Sequence, residues 1–231
     1  MRGMRWRNLI LLPCLTLFAF AQTPTSPSVA ITEEPHHHLA VENEYVRVFK
    51  VEVGPHTETL LHRHEHDYVF VTLGPAQIVN AVEGKAPVEL KLANGDTRFL
   101  RGPLTHVARN LAETPFRNVT IEFLQDRAYP DRATFLPEIT NPEMQKVLFT
   151  EDGVRVSETR LPPGAMLPRH EHKRAHLVIA VSDLELRSEV EGKSPVPVKM
   201  KAGDVNWVPG GYSHTVTNTG QQEAWFVALE F

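Results

Sequence analysis

The chain of 231 residues contains one cysteine, Cys14, and no excess of positive charge. Cys14 lies in a segment that reads as an export signal. Arg2, Arg5 and Arg7 form a basic start, 9–20 an apolar stretch, and Ala19-Phe20-Ala21 a small-residue cleavage site. The apolar stretch is too short to span a bilayer comfortably, since about 20 residues are needed. A lipoprotein reading through Cys14 is disfavoured, because Pro13 precedes it and the apolar stretch would be cut in half. Cleavage after Ala21 leaves no cysteine, which excludes disulfides, thiolate metal ligands and thiol nucleophiles. The same cleavage takes 24 basic residues to 21 against 28 acidic ones, a net charge of −7 with histidines neutral. That balance argues against a nucleic-acid partner, and without a basic amphipathic stretch a stable membrane anchor has no support. Phosphate loops, dinucleotide fingerprints and serine nucleophile elbows are also missing. Chemistry must come from nitrogen and oxygen side chains in an exported, periplasmic or secreted protein.

What the sequence does hold is a repeat. An offset of 108 residues, the separation of His62 from His170, also maps His64 onto His172, His106 onto His214, Gly95-Asp96 onto Gly203-Asp204 and Asn110 onto Asn218. Without a gap it further aligns Val46-Arg47-Val48 with Val154-Arg155-Val156 and Glu122-Phe123 with Glu230-Phe231. Such self-similarity indicates two related units. In each, short runs rich in Val, Ile, Phe and Thr alternate with turn residues such as Gly54-Pro55, Asn94-Gly95-Asp96 and Pro209-Gly210-Gly211. No convincing long helix lies between them, so an antiparallel all-β sandwich or barrel is expected. The organisation predicted is a signal peptide (1–21), a flexible linker (22–40), an N-terminal domain (41–126), a connection (127–148) and a C-terminal domain (149–231). His36-His37-His38 reads as solvated linker rather than a metal-capturing arm, and Pro142 is placed to begin a turn or two of helix reaching 148.

Side chains two apart on a strand share a face. His170 and His172 therefore point together, joined by His176 if the strand stays regular, and the turn at Pro209-Gly210-Gly211 allows a second strand to bring His214 to them. That set suits a divalent ion with a position left open for solvent or substrate. Gly164, five residues on to His170-x-His172, then His176, resembles the first cupin motif, with histidine where that family often has glutamate. Gly203-Asp204 followed by Pro209-x-Gly211-x-x-His214-x-x-x-Asn218 resembles the second. Both motifs recur in order in both halves, so the chain is similar to a two-domain bicupin with a four-histidine motif in its second domain. The resemblance implies two double-stranded β-barrels (jelly rolls) in tandem, with His170, His172, His176 and His214 around a metal. The first half departs further: His56, Arg101 and Pro103 stand where glycine, proline and glycine belong, and Tyr68 is opposite His176. It retains His62, His64 and His106, with Tyr68 or His66 as a fourth ligand; the alternative is that its histidines are hydrogen-bonded core residues. Arg174 and Tyr212 share the inward parity and read either as contacts to an anionic or phenolic substrate or as rim residues.

An all-imidazole site leaves its cation fully charged, a strong Lewis acid for an enolate, phenolate or carboxylate. The leading expectation is a metal-dependent dioxygenase-like oxidoreductase on a small enolic, phenolic or carboxylate compound, using a divalent transition metal (Fe, Mn, Ni, Cu or Zn). A non-catalytic metal- or ligand-binding protein is the second reading, and a decarboxylase or isomerase the third, weakened by the missing glutamate. A monomer or a homodimer is expected, with pairing of barrel edges satisfied inside one chain or between two.

Overall fold

A computed structural model describes residues 27–124 and 141–231. The expected signal at 1–21 and most of the connection lie outside the described residues. The first half forms β1 (Val29–Ala30), β2 (His37–Glu42), β3 (Val46–Val53), β4 (His62–His64), β5 (Tyr68–Leu73), β6 (Ala76–Val82), β7 (Val88–Leu92), β8 (Thr97–Leu100), β9 (Leu104–Asn110) and β10 (Phe116–Phe123). These make two facing sheets, β1-β4-β9-β6-β7 and β2-β3-β10-β5-β8. The second half forms β11 (Gln145–Glu151), β12 (Val154–Leu161), β13 (Met166–His172), β14 (His176–Ala180), β15 (Leu184–Val190), β16 (Val196–Met200), β17 (Val205–Val208), β18 (Tyr212–Asn218) and β19 (Ala224–Glu230). Its sheets run β13-β18-β15-β16 and β11-β12-β19-β14-β17, the same order as in the first half except that no counterpart of β1 lies among the described residues. The fold is thus all-β, two double-stranded barrels in tandem.

Period-two alternation explains which face goes where. On β10, Asn118, Thr120 and Glu122 face into the first barrel, while Val119, Ile121 and Phe123 point out of it. On β19, Phe226, Ala228 and Glu230 face inward and Val227 and Leu229 outward, followed by Phe231 just past the strand's end. The two outward sets meet. With Val46, Val48, Val69, Val71, Val156, Leu177 and Ile179 they form one apolar core shared by the barrels. Both faces of these sheets are therefore buried, and each fully buried Val, Leu or Ile contributes roughly 1.5–3 kcal/mol. Turns seal the edges of this seam. Gly95 (φ 77°) lies where a Cβ would overlap the Trp225 indole, and Gly203 (φ 86°) where a Cβ would come within 2.9 Å of Leu73. Charge pairs rim it, including Lys50 with Asp204 at 2.8 Å and Arg101 with Glu151 and Asp152 at 3.1 Å each.

Two expectations change. The span 22–40 is ordered structure from β1 onward: Val29 and Ala30 pair in parallel with His62 and Arg63, Ile31 is buried in the first barrel, and Glu34 is 1% exposed. Its Pro- and Thr-rich start suggested a tether, but the few apolar residues at its end find non-local partners. Helix from Pro142 to Leu148 does not form either; Asn141 caps a turn through its side-chain oxygen, and β11 starts at Gln145 by pairing with Thr159.

Candidate metal centres

In the second barrel, β13 carries a bulge between Leu167 and His170. The bulge tolerates Pro168, which cannot donate to a ladder. His170 stands directly opposite His214 on β18, so these imidazoles meet across neighbouring strands of one sheet. His170, His172 and His214 each offer a ligand atom within 4.8 Å of the others. Every Nδ1 is engaged: His170 with the Pro168 carbonyl at 2.8 Å, His172 with Glu230 Oε1 at 3.0 Å, His214 with Ser188 Oγ at 2.7 Å. Glu230 is balanced in turn by Arg155 Nη2 on Oε2 at 2.5 Å. Such outer hydrogen bonds fix the tautomer and aim the remaining nitrogen, the arrangement common around bound metal.

The donor set fits a cation. A carbonyl only accepts, so the neutral His170 ring carries its proton on Nδ1 and presents a bare lone pair at Nε2. His214 Nε2 lies 3.1 Å from it. Two nitrogens bonded at about 2.1 Å to one ion stand about 3.0–3.4 Å apart, depending on the bond angle. The His170 and His214 rings stay neutral near pH 7, since burial and the neighbouring imidazoles depress His170 and push His214 down to about 3.

His176 occupies a different place from its expected one. β13 ends at His172, the chain bends at Arg174, and His176 opens β14 on the opposite sheet. Its ring stacks on that of His172 at 4.0 Å, lining the same cavity from outside the group of three. Burial and His172 hold it down to about 4. Tyr212 lines the cavity, its ring 4.9 Å from His214, and burial with Glu230 nearby pushes its phenol up to about 12. Arg174 does not line it; the bend breaks the parity that aimed it inward, and it lies on an outer groove with Tyr45 and Trp207. The cavity itself measures about 300 Å³, walled by residues such as Leu167, Leu186, Val198, Val216 and Phe226.

The first barrel repeats this construction. His62 stands opposite His106. His62 Nδ1 meets the Leu60 carbonyl at 2.9 Å and His106 Nδ1 the Asn80 Oδ1 at 2.6 Å. His64 Nδ1 approaches Glu122 Oε1 only to 3.4 Å, the same distance as Arg47 from the other Glu122 oxygen, so this relay is looser than its counterpart. His64 and His106 Nε2 atoms are 3.2 Å apart, and His62 Nε2 is a buried nitrogen without a hydrogen-bond partner. Burial pushes His62 and His64 down to about 3 and His106 well below its ordinary range. Tyr68 stacks on His64 at 4.0 Å, as His176 does on His172, and its phenol is raised by burial. His66 does not line the pocket. The imidazole that joins His62 and His64 instead is His37, from the span expected to be linker.

Sequence reasoning weighed His37 within His36-His37-His38 and set it aside as solvated linker, and it passed over Glu34 and the orienting pairs Arg47–Glu122 and Arg155–Glu230. The last four sit inside the aligned repeat segments, so the offset itself was the signal that could have found them.

Residues 157–230 match the family model for the cupin domain. Comparison with curated proteins gives no match. Among solved structures, AerE from Microcystis aeruginosa superposes with a TM-score of 0.58 at 11% identity, over 85% of this chain and 97% of its own. Oxalate decarboxylase from Bacillus subtilis gives 0.58 at 15% identity, covering 81% of this chain and 68% of its own. A salicylate 1,2-dioxygenase from Pseudaminobacter salicylatoxidans gives 0.55 at 12% identity, over 81% and 71%. These likenesses establish the fold, a two-barrel cupin-like architecture, and the family match shows that residues 157–230 are similar to the cupin domain.

Proposed function

We propose that the chain is an exported, metal-dependent dioxygenase-like oxidoreductase acting on a small enolic, phenolic or carboxylate compound, with its chemistry in the second barrel. One observation carries the reading: three imidazoles with ligand atoms within 4.8 Å of one another border an apolar cavity in which Glu230, the only carboxylate among the described lining residues, is committed to Arg155 and His172. Decarboxylation or isomerisation calls for a carboxylate free to act as acid or base, and this cavity offers none among its described lining residues. About 300 Å³ is at the small end of ligand pockets and suits a compound of one ring.

His170, His172 and His214 would hold the ion, with Fe, Mn, Ni or Cu supplying Lewis acidity and a route for electrons between a chelated enolate or phenolate and dioxygen. The walls exclude water and orient the ring. Tyr212 stays protonated at neutral pH, so its hydroxyl donates to an anionic substrate oxygen while the neutral imidazoles leave the charge of that oxygen to the ion. The test is oxygen uptake by metal-loaded mature protein over flavonols, diketones, catechols and hydroxybenzoates. Uptake with at least one class, abolished by His172→Ala, is expected. A flat trace on all of them, or carbon dioxide release without oxygen consumption, refutes the proposal.

A further inference from the structure

The offset that relates the barrels places Gln145 where the first barrel has His37, and the pairing agrees: His37 lies opposite Val51 on β3, Gln145 opposite Thr159 on β12. Besides Tyr68 against His176, the two pockets therefore differ at this equivalent position, an imidazole in one and a carboxamide in the other. His37 is held there by Glu34. One Glu34 oxygen accepts from His37 Nδ1 at 2.6 Å; the other takes His36 Nδ1 at 2.8 Å and the Leu60 amide at 3.1 Å. Leu60 in turn receives His62 Nδ1 on its carbonyl. Glu34 thus couples two imidazoles through one residue, and it has no counterpart, because the offset leads to Pro142.

We infer that the first barrel closes into a four-imidazole site which holds a divalent transition metal as a structural clamp on the N-terminal segment and performs no turnover: His37, His62 and His64 offer ligand atoms within 4.8 Å of one another, and His106 joins them through His64, the two Nε2 atoms 3.2 Å apart. The observations converge. The His37 ring lies 4.8 Å from that of His62 and 6.3 Å from that of His64, its side chain is 5% exposed, and the pocket is about 140 Å³, half its counterpart. The bare, buried Nε2 of His62 needs a partner that the protein does not provide. Four protein nitrogens saturate a tetrahedral ion, the mark of structural sites, whereas three leave a position open. Because β2 comes from outside the histidine-bearing sheet, an ion bound there ties 29–42 to the barrel. This inference concerns the other barrel and stands apart from the proposed oxygen chemistry.

The experiment uses the full mature chain carrying His172→Ala, so that the first pocket reports alone. Cobalt(II) titration should give the strong visible bands of a four-nitrogen tetrahedral ion, and hydrogen exchange of 29–42 should slow when metal is added. His37→Gln, which installs the second barrel's residue, should weaken cobalt binding at least about tenfold, lower the band intensity and abolish the protection; Glu34→Gln should weaken binding about 10- to 100-fold. Unchanged affinity and spectrum in His37→Gln overturn the inference. Should that variant fail to fold, the parent decides alone: exchange over 29–42 that ignores metal refutes the clamp.

Discussion

Glu230→Gln tests the relay behind the second metal centre. Glu230 and Arg155 have side chains only 8% and 10% exposed, and their contact is 2.5 Å. The amide keeps the shape and removes the charge, leaving a guanidinium in the barrel without its counter-ion. Removing one partner of a buried pair costs roughly 3–5 kcal/mol. Arg155 has a further interaction, which sets the lower end, about 3 kcal/mol. Since the barrels share a core, the chain should melt as one unit, for which 1 kcal/mol corresponds to about 2–4 °C, so calorimetry of metal-free protein should show a fall of roughly 6–12 °C. The His172 ring, no longer held by a carboxylate, should bind metal about 10- to 100-fold more weakly. Arg155→Met combined with Glu230→Gln removes both charges and should recover most of the melting temperature but none of the metal affinity. A single variant that melts within about 2 °C of wild type, with the double no different, would refute the reasoning. Glu122→Gln is the internal control: Arg47 is 24% exposed and 3.4 Å away, so solvent shares its charge and a loss nearer 1 kcal/mol is expected.

Gly95→Ala should cost about 3 kcal/mol in denaturant unfolding, from a left-handed φ and overlap with Trp225 across the seam. Gly84→Ala shares the φ but meets nothing within 4 Å, so equal losses at the two positions would sink the close-approach argument. Metal-stripped protein should lose stability as pH falls. His62, His64 and His214 sit at about 3 and His176 at about 4 when folded, against about 6.5 unfolded, so below 6.5 the unfolded chain binds more protons. Their contribution is complete above pH 6.5 and declines toward pH 4, opposed by Glu122 and Asp67, whose carboxyls burial raises. A denaturation midpoint flat between pH 7.5 and 4.5 would contradict this.

The histidines on β4, β9, β13 and β18 were legible because period two and a fixed offset are properties of sequence. The strands around them with long apolar runs, such as β3, β5 and β19, were legible for the same reason. β6 and β15 were not, since their polar residues hide the alternation. Arg174 and His176 were misplaced by one bend, which resets parity and which no residue type there announces. His37 was hidden more deeply. Its position depends on the pairing of β2 with β3, a non-local contact, and on a glutamate whose burial no local composition signals. Comparing position 37 with position 145 was the available clue, but an imidazole opposite an amide gains meaning only once both line a pocket.

The seam of Val119, Ile121 and Phe123 against Val227, Leu229 and Phe231 ties the fates of the duplicated halves. Because Glu122 and Glu230 alternate with these residues on the same two strands, whatever tilts one strand re-aims an imidazole on its far side. Neither copy was free to diverge as a separate unit, and a gene cut between them would yield two fragments that each display a sticky apolar slab. The proposed division of labour between the halves would rest on exchanges of single side chains lining the pockets, within a scaffold neither could leave.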